Sequence, residues 1–145
     1  MLDLARSFNT PVTDSKKERE RVADTLNKIY IESLDNKALG SVLKTLGGDP
    51  EKLGTNKRLQ SILEKVARNG EDVSAIMLPF FTAYDFRVAA LHLTSAETAR
   101  DKLKTVTDRL KLPENATLVD IQNALVDSFI ASFKAMKAII ETAQR

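Results

Sequence analysis

Two residue types that can do chemistry together stand five positions apart in AYDFRVAALHLTS, residues 83–95: Arg87 and His92, the latter the one histidine of the chain. An imidazole titrates near neutral pH and can take or give a proton there, while a guanidinium stays charged and grips an oxyanion through paired hydrogen bonds. The pair could therefore supply acid–base catalysis beside a stabilised negative charge. The same residues have a bland reading as a helix end. A histidine near a helix C-terminus donates to the last carbonyls and is favoured there by the helix dipole. His92 comes just before Thr94-Ser95, so capping needs no function to explain it.

Other constellations are weaker. KKERER at 16–21 is the densest charge run, but its signs are mixed, so neighbours at helical spacing pair with one another and form a solvated face. Arg100, Lys102, Lys104, Arg109 and Lys111 make a better RNA-facing surface, diluted by Asp101 and Asp108. From this group Arg100 and Lys104, together with Asp85 beside the arginine, are the candidate substrate-binding residues. Asp85, Asp101, Asp108 and Asp120 fall in no metal-binding motif, so neither a metal nor any other cofactor is expected. GGDPEKLG has no Walker spacing and reads as a turn. Phe80, Phe81, Tyr84 and Phe86 read as packing residues rather than as platforms for stacked bases.

Composition removes several classes. The chain has no cysteine, which excludes disulfides, thiolate metal sites and cysteine nucleophiles and fits a reducing cytoplasm. A single histidine excludes a multi-histidine zinc site. The 22 basic and 20 acidic side chains nearly cancel, so any anion-binding patch must come from clustering. No signal peptide is visible at the N-terminus, no stretch reads as a membrane span, and no membrane partner is expected.

The elements that must position Arg87 and His92 are helices. Five glycines and four prolines in 145 residues suit helices joined by short turns, and no strand pattern competes. A long first helix is expected after a cap at Thr13 or Asp14, burying Val22, Leu26, Ile29 and Tyr30. A short second helix turns Leu39, Val42, Leu43 and Leu46 inward, and a third places Leu59, Ile62, Leu63 and Val66 together before Gly70. The fourth, from about Glu71 to Leu93, is the most apolar and should be central, with a kink or break at Pro79. A Thr94-x-x-Glu97 capping box opens the fifth. The sixth, from about Thr117, carries Leu118, Ile121, Leu125, Phe129, Phe133, Met136 and Ile140 along one stripe. The expected fold is all-α: one antiparallel bundle of five to six helices over 13–145, with a kinked central helix near Pro79 and a flexible segment at 1–12. That bundle is also compatible with the C-terminal domain of a longer protein.

Arg87-Val88-Ala89-Ala90-Leu91-His92, at the end of the apolar fourth helix and preceded by YDF, resembles the R-x4–6-H motif of HEPN domains. The likeness in bundle architecture spans most of the chain; its diagnostic part is these two residues. The resemblance implies a homodimer with apposed motifs that binds RNA or cleaves it without metal, in a toxin or antiphage defence system, with an antitoxin or the rest of a longer parent chain as partner. It implies that His92 acts as general base or acid on a ribose 2′-hydroxyl and that Arg87 holds the scissile phosphate. Val88 departs from the polar residue that active members often carry after the arginine, and Asp85 is the residue placed to substitute. Geometry adds a condition. Five residues at about 100° each set Arg87 and His92 roughly 140° apart on an unbroken helix, whereas Asp85 and His92 share a face to within about 20°. An active pair thus needs a helix that ends before His92, or a second copy supplying the missing partner. The alternative reading is a non-catalytic module for oligomerisation or protein interaction, in which Arg87 and His92 cap and pair.

Overall fold

A computed structural model describes residues 11, 14–91 and 95–144, and within these every regular element is helical. Most of the expected segment 1–12 lies outside the described residues; Pro11, which is described, is buried.

Helix α1, Lys16–Asn27, starts at Ser15, whose hydroxyl accepts from the Glu18 amide at 3.2 Å. Asp14, expected as a cap, instead pairs through both carboxylate oxygens with Arg19, and Thr13 lies outside the described residues. The helix continues as a π turn over Lys28–Glu32. A π turn closes its bonds five residues apart, as Ser33 N–H does to the Lys28 carbonyl at 3.2 Å, so the residue five after Leu26 returns to Leu26's face. Ile31 is accordingly buried where a regular helix would have placed Ile29, which is half-buried. The same step lays the Tyr30 ring on Phe129, centroids 4.2 Å apart and nearly parallel.

Helix α2, Asn36–Thr45, is capped by Asp35 and ends through Gly47 at φ 76°, with the Gly48 amide donating to the Leu43 carbonyl. Of its four expected inward residues only Leu43 is buried and Leu39 is half-buried; Val42 and Leu46 are exposed. The correction has a simple cause. The helix packs chiefly on α3, and one neighbour covers a narrow stripe. Helix α3, Thr55–Val66, buries Leu59 and Leu63, and its Arg58 donates to the Asn36 and Pro50 carbonyls at 2.7 and 3.1 Å, tying α2 down.

Helix α4, Val73–Ala90, starts at Asp72 and packs against α1, α3, α5 (Ala96–Arg109) and α6 (Leu118–Ala143). It is the central element. Pro79 is buried inside it and has no N–H to donate, yet the helix runs through without a break, and Thr82 returns its hydroxyl proton to the Leu78 carbonyl at 2.7 Å. By length and composition α4 would also suit a membrane span, contrary to the sequence reading; in this fold its apolar residues serve the bundle core. Phe80 and Phe86 are fully enclosed, with Phe80 edge-on to Phe129 at 5.0 Å, while Tyr84 faces out. Aromatic burial of this kind is the largest single contribution a side chain makes to such a core.

Helix α5 begins at Ser95, which accepts from the Thr98 amide; the expected Thr94 box falls on a residue outside the described ones, and the cap sits one position later. Helix α6 opens with a reciprocal capping box between Thr117 and Asp120. Its buried stripe is Leu118, Ile121, Leu125, Phe129, Met136 and Ile139, whereas Phe133 and Ile140, expected inside, are exposed. The fold is an all-α helical bundle.

Candidate functional site

Arg87 sits on the last turn of α4, and its side chain is about one-third exposed, turned towards α1. Its Nε lies 3.9 Å from an Asp24 carboxylate oxygen and is itself buried without a hydrogen bond. Asp24 gives its shorter contact, 2.7 Å, to Lys28 at the start of the π turn, and that hydrogen bond holds the Lys28 ammonium above its ordinary range. Arg87 is thus part of a charged joint between α1 and α4, and the Asp24 carboxylate is shared between two cations. Sequence reasoning missed Asp24. Nothing in its local pattern signals a partner sixty-three positions away; only its i,i+4 pairing with Lys28 is readable.

The helix that carries Arg87 stops before His92. Ala90 is the last helical residue and Leu91 its C-cap, with the Leu91 amide donating to the Arg87 carbonyl at 3.0 Å. Of the two conditions set by helical geometry, the first is therefore met. His92 itself lies outside the described residues.

Asp85 is not beside Arg87. Two residues apart on a helix means about 200° of rotation, so the two side chains leave α4 on opposite sides. The Asp85 carboxylate is only 16% exposed and takes one hydrogen bond from Lys102 and one from Arg109, both at 2.8 Å. It clamps α5 to α4, and the idea that it replaces the missing polar neighbour of Arg87 does not fit this geometry. The clamp also divides the basic residues of α5 by periodicity. Lys102 and Arg109, seven apart, face α4 and are neutralised there. Arg100 and Lys104, four apart, lie together on another face and line one groove of about 510 Å³ with Arg19 and with the carboxylates of Asp14, Asp101 and Glu114. Lys104 is not a free cation either: Asp108 hydrogen-bonds it at 2.7 Å and raises its pKa.

Of the four described site candidates, then, the fold brings Arg100 and Lys104 together and sends Arg87 and Asp85 to separate helix–helix joints. Among the described residues no three metal-ligating side chains gather in one place. The charge run at the start of α1 pairs locally, Arg21 with Glu18 at 3.0 Å and Lys16 with Glu20 at 4.0 Å.

A different surface, not singled out by sequence, is more distinctive. On the outer flank of α6, Ile130, Phe133 and Ile140 are 46%, 38% and 49% exposed. Large apolar side chains left in water at helical spacing mark surfaces built for contact. The signal was present as the three-and-seven spacing of these residues, but it ran beside a second apolar stripe on the same helix and was merged with it. No family model matches the chain, and no curated protein and no solved structure matches it either.

Proposed function

We propose that the chain is a non-catalytic helical module that works by association, through the apolar flank of its last helix. The observation that carries this reading is the exposure of Ile130, Phe133 and Ile140 on α6. Support comes also from the fate of one polar candidate: Asp85 is engaged by Lys102 and Arg109. Side chains needed to hold helices together are poorly placed to grip a substrate. The absence of cysteine suits a cytoplasmic setting for such a module. The test pairs two measurements on the full chain. Assembly, read by sedimentation at increasing concentration, should be lost on substituting the apolar flank and unchanged by His92→Ala.

A second reading is favoured by one observation, the end of α4 at Ala90. An unbroken helix would have set Arg87 and His92 about 140° apart, and Arg100 and Lys104 line a common groove. This is the HEPN-like reading, an RNA-acting domain of a toxin or antiphage defence system, and it rests on the R-x4-H spacing. It expects RNA cleavage without added metal, leaving cyclic phosphate ends, abolished by His92→Ala in a protein that stays folded. Such cleavage would overturn the non-catalytic reading.

A further inference from the structure

We infer that two copies of this chain associate through α6, with the two helices antiparallel and Ile130 of each packed against Phe133 of the other. This rests on the association reading above and names its partner. Helix α6 is 26 residues long and carries two apolar seams. The first faces the bundle through Leu118, Leu125, Phe129, Ser132 and Met136. The second consists of Val126, Ile130, Phe133, Lys137 and Ile140, spaced four, three, four and three, which is the rhythm of a helix–helix seam. On a regular helix the centres of the two seams lie roughly 100° apart, so the bundle covers the second only in part: Val126 packs against the core and the Phe133 ring meets Tyr30 and Phe80, while Ile130 and Ile140 stay about half exposed. Alongside the second seam runs a groove of about 480 Å³, lined by the apolar Leu34, Leu59, Phe133, Met136 and Ile140 and edged by the Lys137–Glu141 ion pair at 3.6 Å.

Charge selects a second copy as the occupant and fixes its direction. Asp127 and Lys134 each follow a seam residue, sit on the same outer flank, and have no ion-pair partner among the described residues. When Ile130 of one copy faces Phe133 of the other in antiparallel fashion, Asp127 comes alongside Lys134 of the second copy. The two-fold axis repeats that pair, giving a self-complementary, closed interface. In the same register Lys137 lies across from Val126, where its alkyl stem covers apolar surface and its ammonium reaches water. A parallel, in-register pairing would instead stack Lys137 on its own counterpart at a seam position, which is unfavourable, and would carry the Asp127–Lys134 flanks of the two copies to opposite sides of the seam, where they cannot pair. Four of the five seam residues are apolar, and the exposed ones are those that a partner helix would cover.

The experiment is sedimentation equilibrium of the full chain at concentrations up to about 100 µM, with variants that leave the core untouched. The wild type is expected to be a dimer. Ile130→Glu should be monomeric with an unchanged far-UV circular dichroism spectrum, because Ile130 is nearly half exposed already. Asp127→Lys and Lys134→Asp should each weaken the dimer about tenfold, by turning two attractive rim pairs into repulsive ones, and the double variant should restore it. Because the chain has no cysteine, direction can be read by single-cysteine oxidation. Val126→Cys mixed with Lys137→Cys should form a crosslinked heterodimer. Val126→Cys alone should not crosslink, since the two positions would lie about 16 Å apart along the axis. A wild type that stays monomeric, a dimer that survives Ile130→Glu, charge variants without rescue, or self-crosslinking of Val126→Cys would each overturn the inference. A monomeric wild type, or a dimer indifferent to Ile130→Glu, would overturn the association reading as well; a dimer that is lost on Ile130→Glu but self-crosslinks through Val126→Cys, or shows no charge rescue, would overturn only the antiparallel pairing.

Discussion

Replacing Asp85 by asparagine tests whether this residue is a structural clamp or part of a substrate site. The carboxylate is 16% exposed and receives two charge-assisted hydrogen bonds of 2.8 Å, while its partners Lys102 and Arg109 are each about one-third exposed. A hydrogen bond to a charged group contributes about 1.5–3 kcal/mol when well buried, and an exposed ion pair about 0.2–1 kcal/mol. Asp85 lies between these limits. Its own burial argues for the upper range, and the water around the two cations discounts it. Asparagine keeps the shape and can accept one of the two bonds, so the expected loss is about 1.5–2 kcal/mol. For a chain of this size that corresponds to a fall in Tm of roughly 5–7 °C. Thermal melts followed by circular dichroism at pH 7 would read it, with urea unfolding as an independent measure. In about 1 M salt, where screening acts over only about 3 Å, part of the difference should disappear as the exposed portion of each pair is weakened. Lys102→Met should show coupling to Asp85→Asn in a double-mutant cycle. A loss below about 0.5 kcal/mol, or an unchanged melt accompanied by altered RNA binding, would refute the clamp and return Asp85 to the list of ligand-binding residues.

Neighbouring positions on α6 should answer very differently. Phe129→Ala removes a fully enclosed ring that contacts Tyr30 and Phe80 and should cost about 3–5 kcal/mol in urea unfolding, whereas Ile130→Ala in the monomeric protein should cost less than about 1 kcal/mol. The acid limb of stability should be set in part by two helix starts. Asp14 is held below the ordinary aspartate value of 3.8 chiefly by its hydrogen bond with Arg19, and Asp120 chiefly by the Thr117 backbone amide. A depressed carboxyl stabilises the fold above its unfolded pKa and loses that contribution as pH falls through the folded one. Stability should therefore decline as pH drops below about 4, and Asp120→Asn should flatten the slope of that decline in a pH series of urea midpoints.

Helix existence was legible from periodicity and capping residues, because the 3.6-residue repeat is a property of the chain itself. Thr117, which opens α6, was readable for this reason, as were Leu26 on α1 and Leu59 and Leu63 on α3. What failed was the number of faces. Val42 and Leu46 read as core from apolar spacing, yet α2 has one main neighbour and leaves them in water. Phe133 and Ile140 were counted into a single stripe because two seams on one helix overlap in a one-dimensional pattern. The polar candidates were less legible still. Spacing fixes where Asp85 and Arg87 leave α4, but their partners, Lys102 and Arg109 on one side and Asp24 on the other, are set by which helices fold back beside it.

The π turn at Lys28–Glu32 has a consequence for length variation in this protein. It accommodates one residue more than an uninterrupted α-helix would need to reach Ile31 in the core. Deleting that residue would leave a regular α-helix on which Ile31, now four positions after Leu26, still returns to Leu26's face. Elsewhere in the first helix the same deletion has no wide turn to absorb it, and every side chain beyond the cut would be rotated by about 100°. The first helix therefore tolerates the loss of one residue at this seemingly irregular spot better than in its regular middle, where the shortened chain would carry its apolar residues off the core.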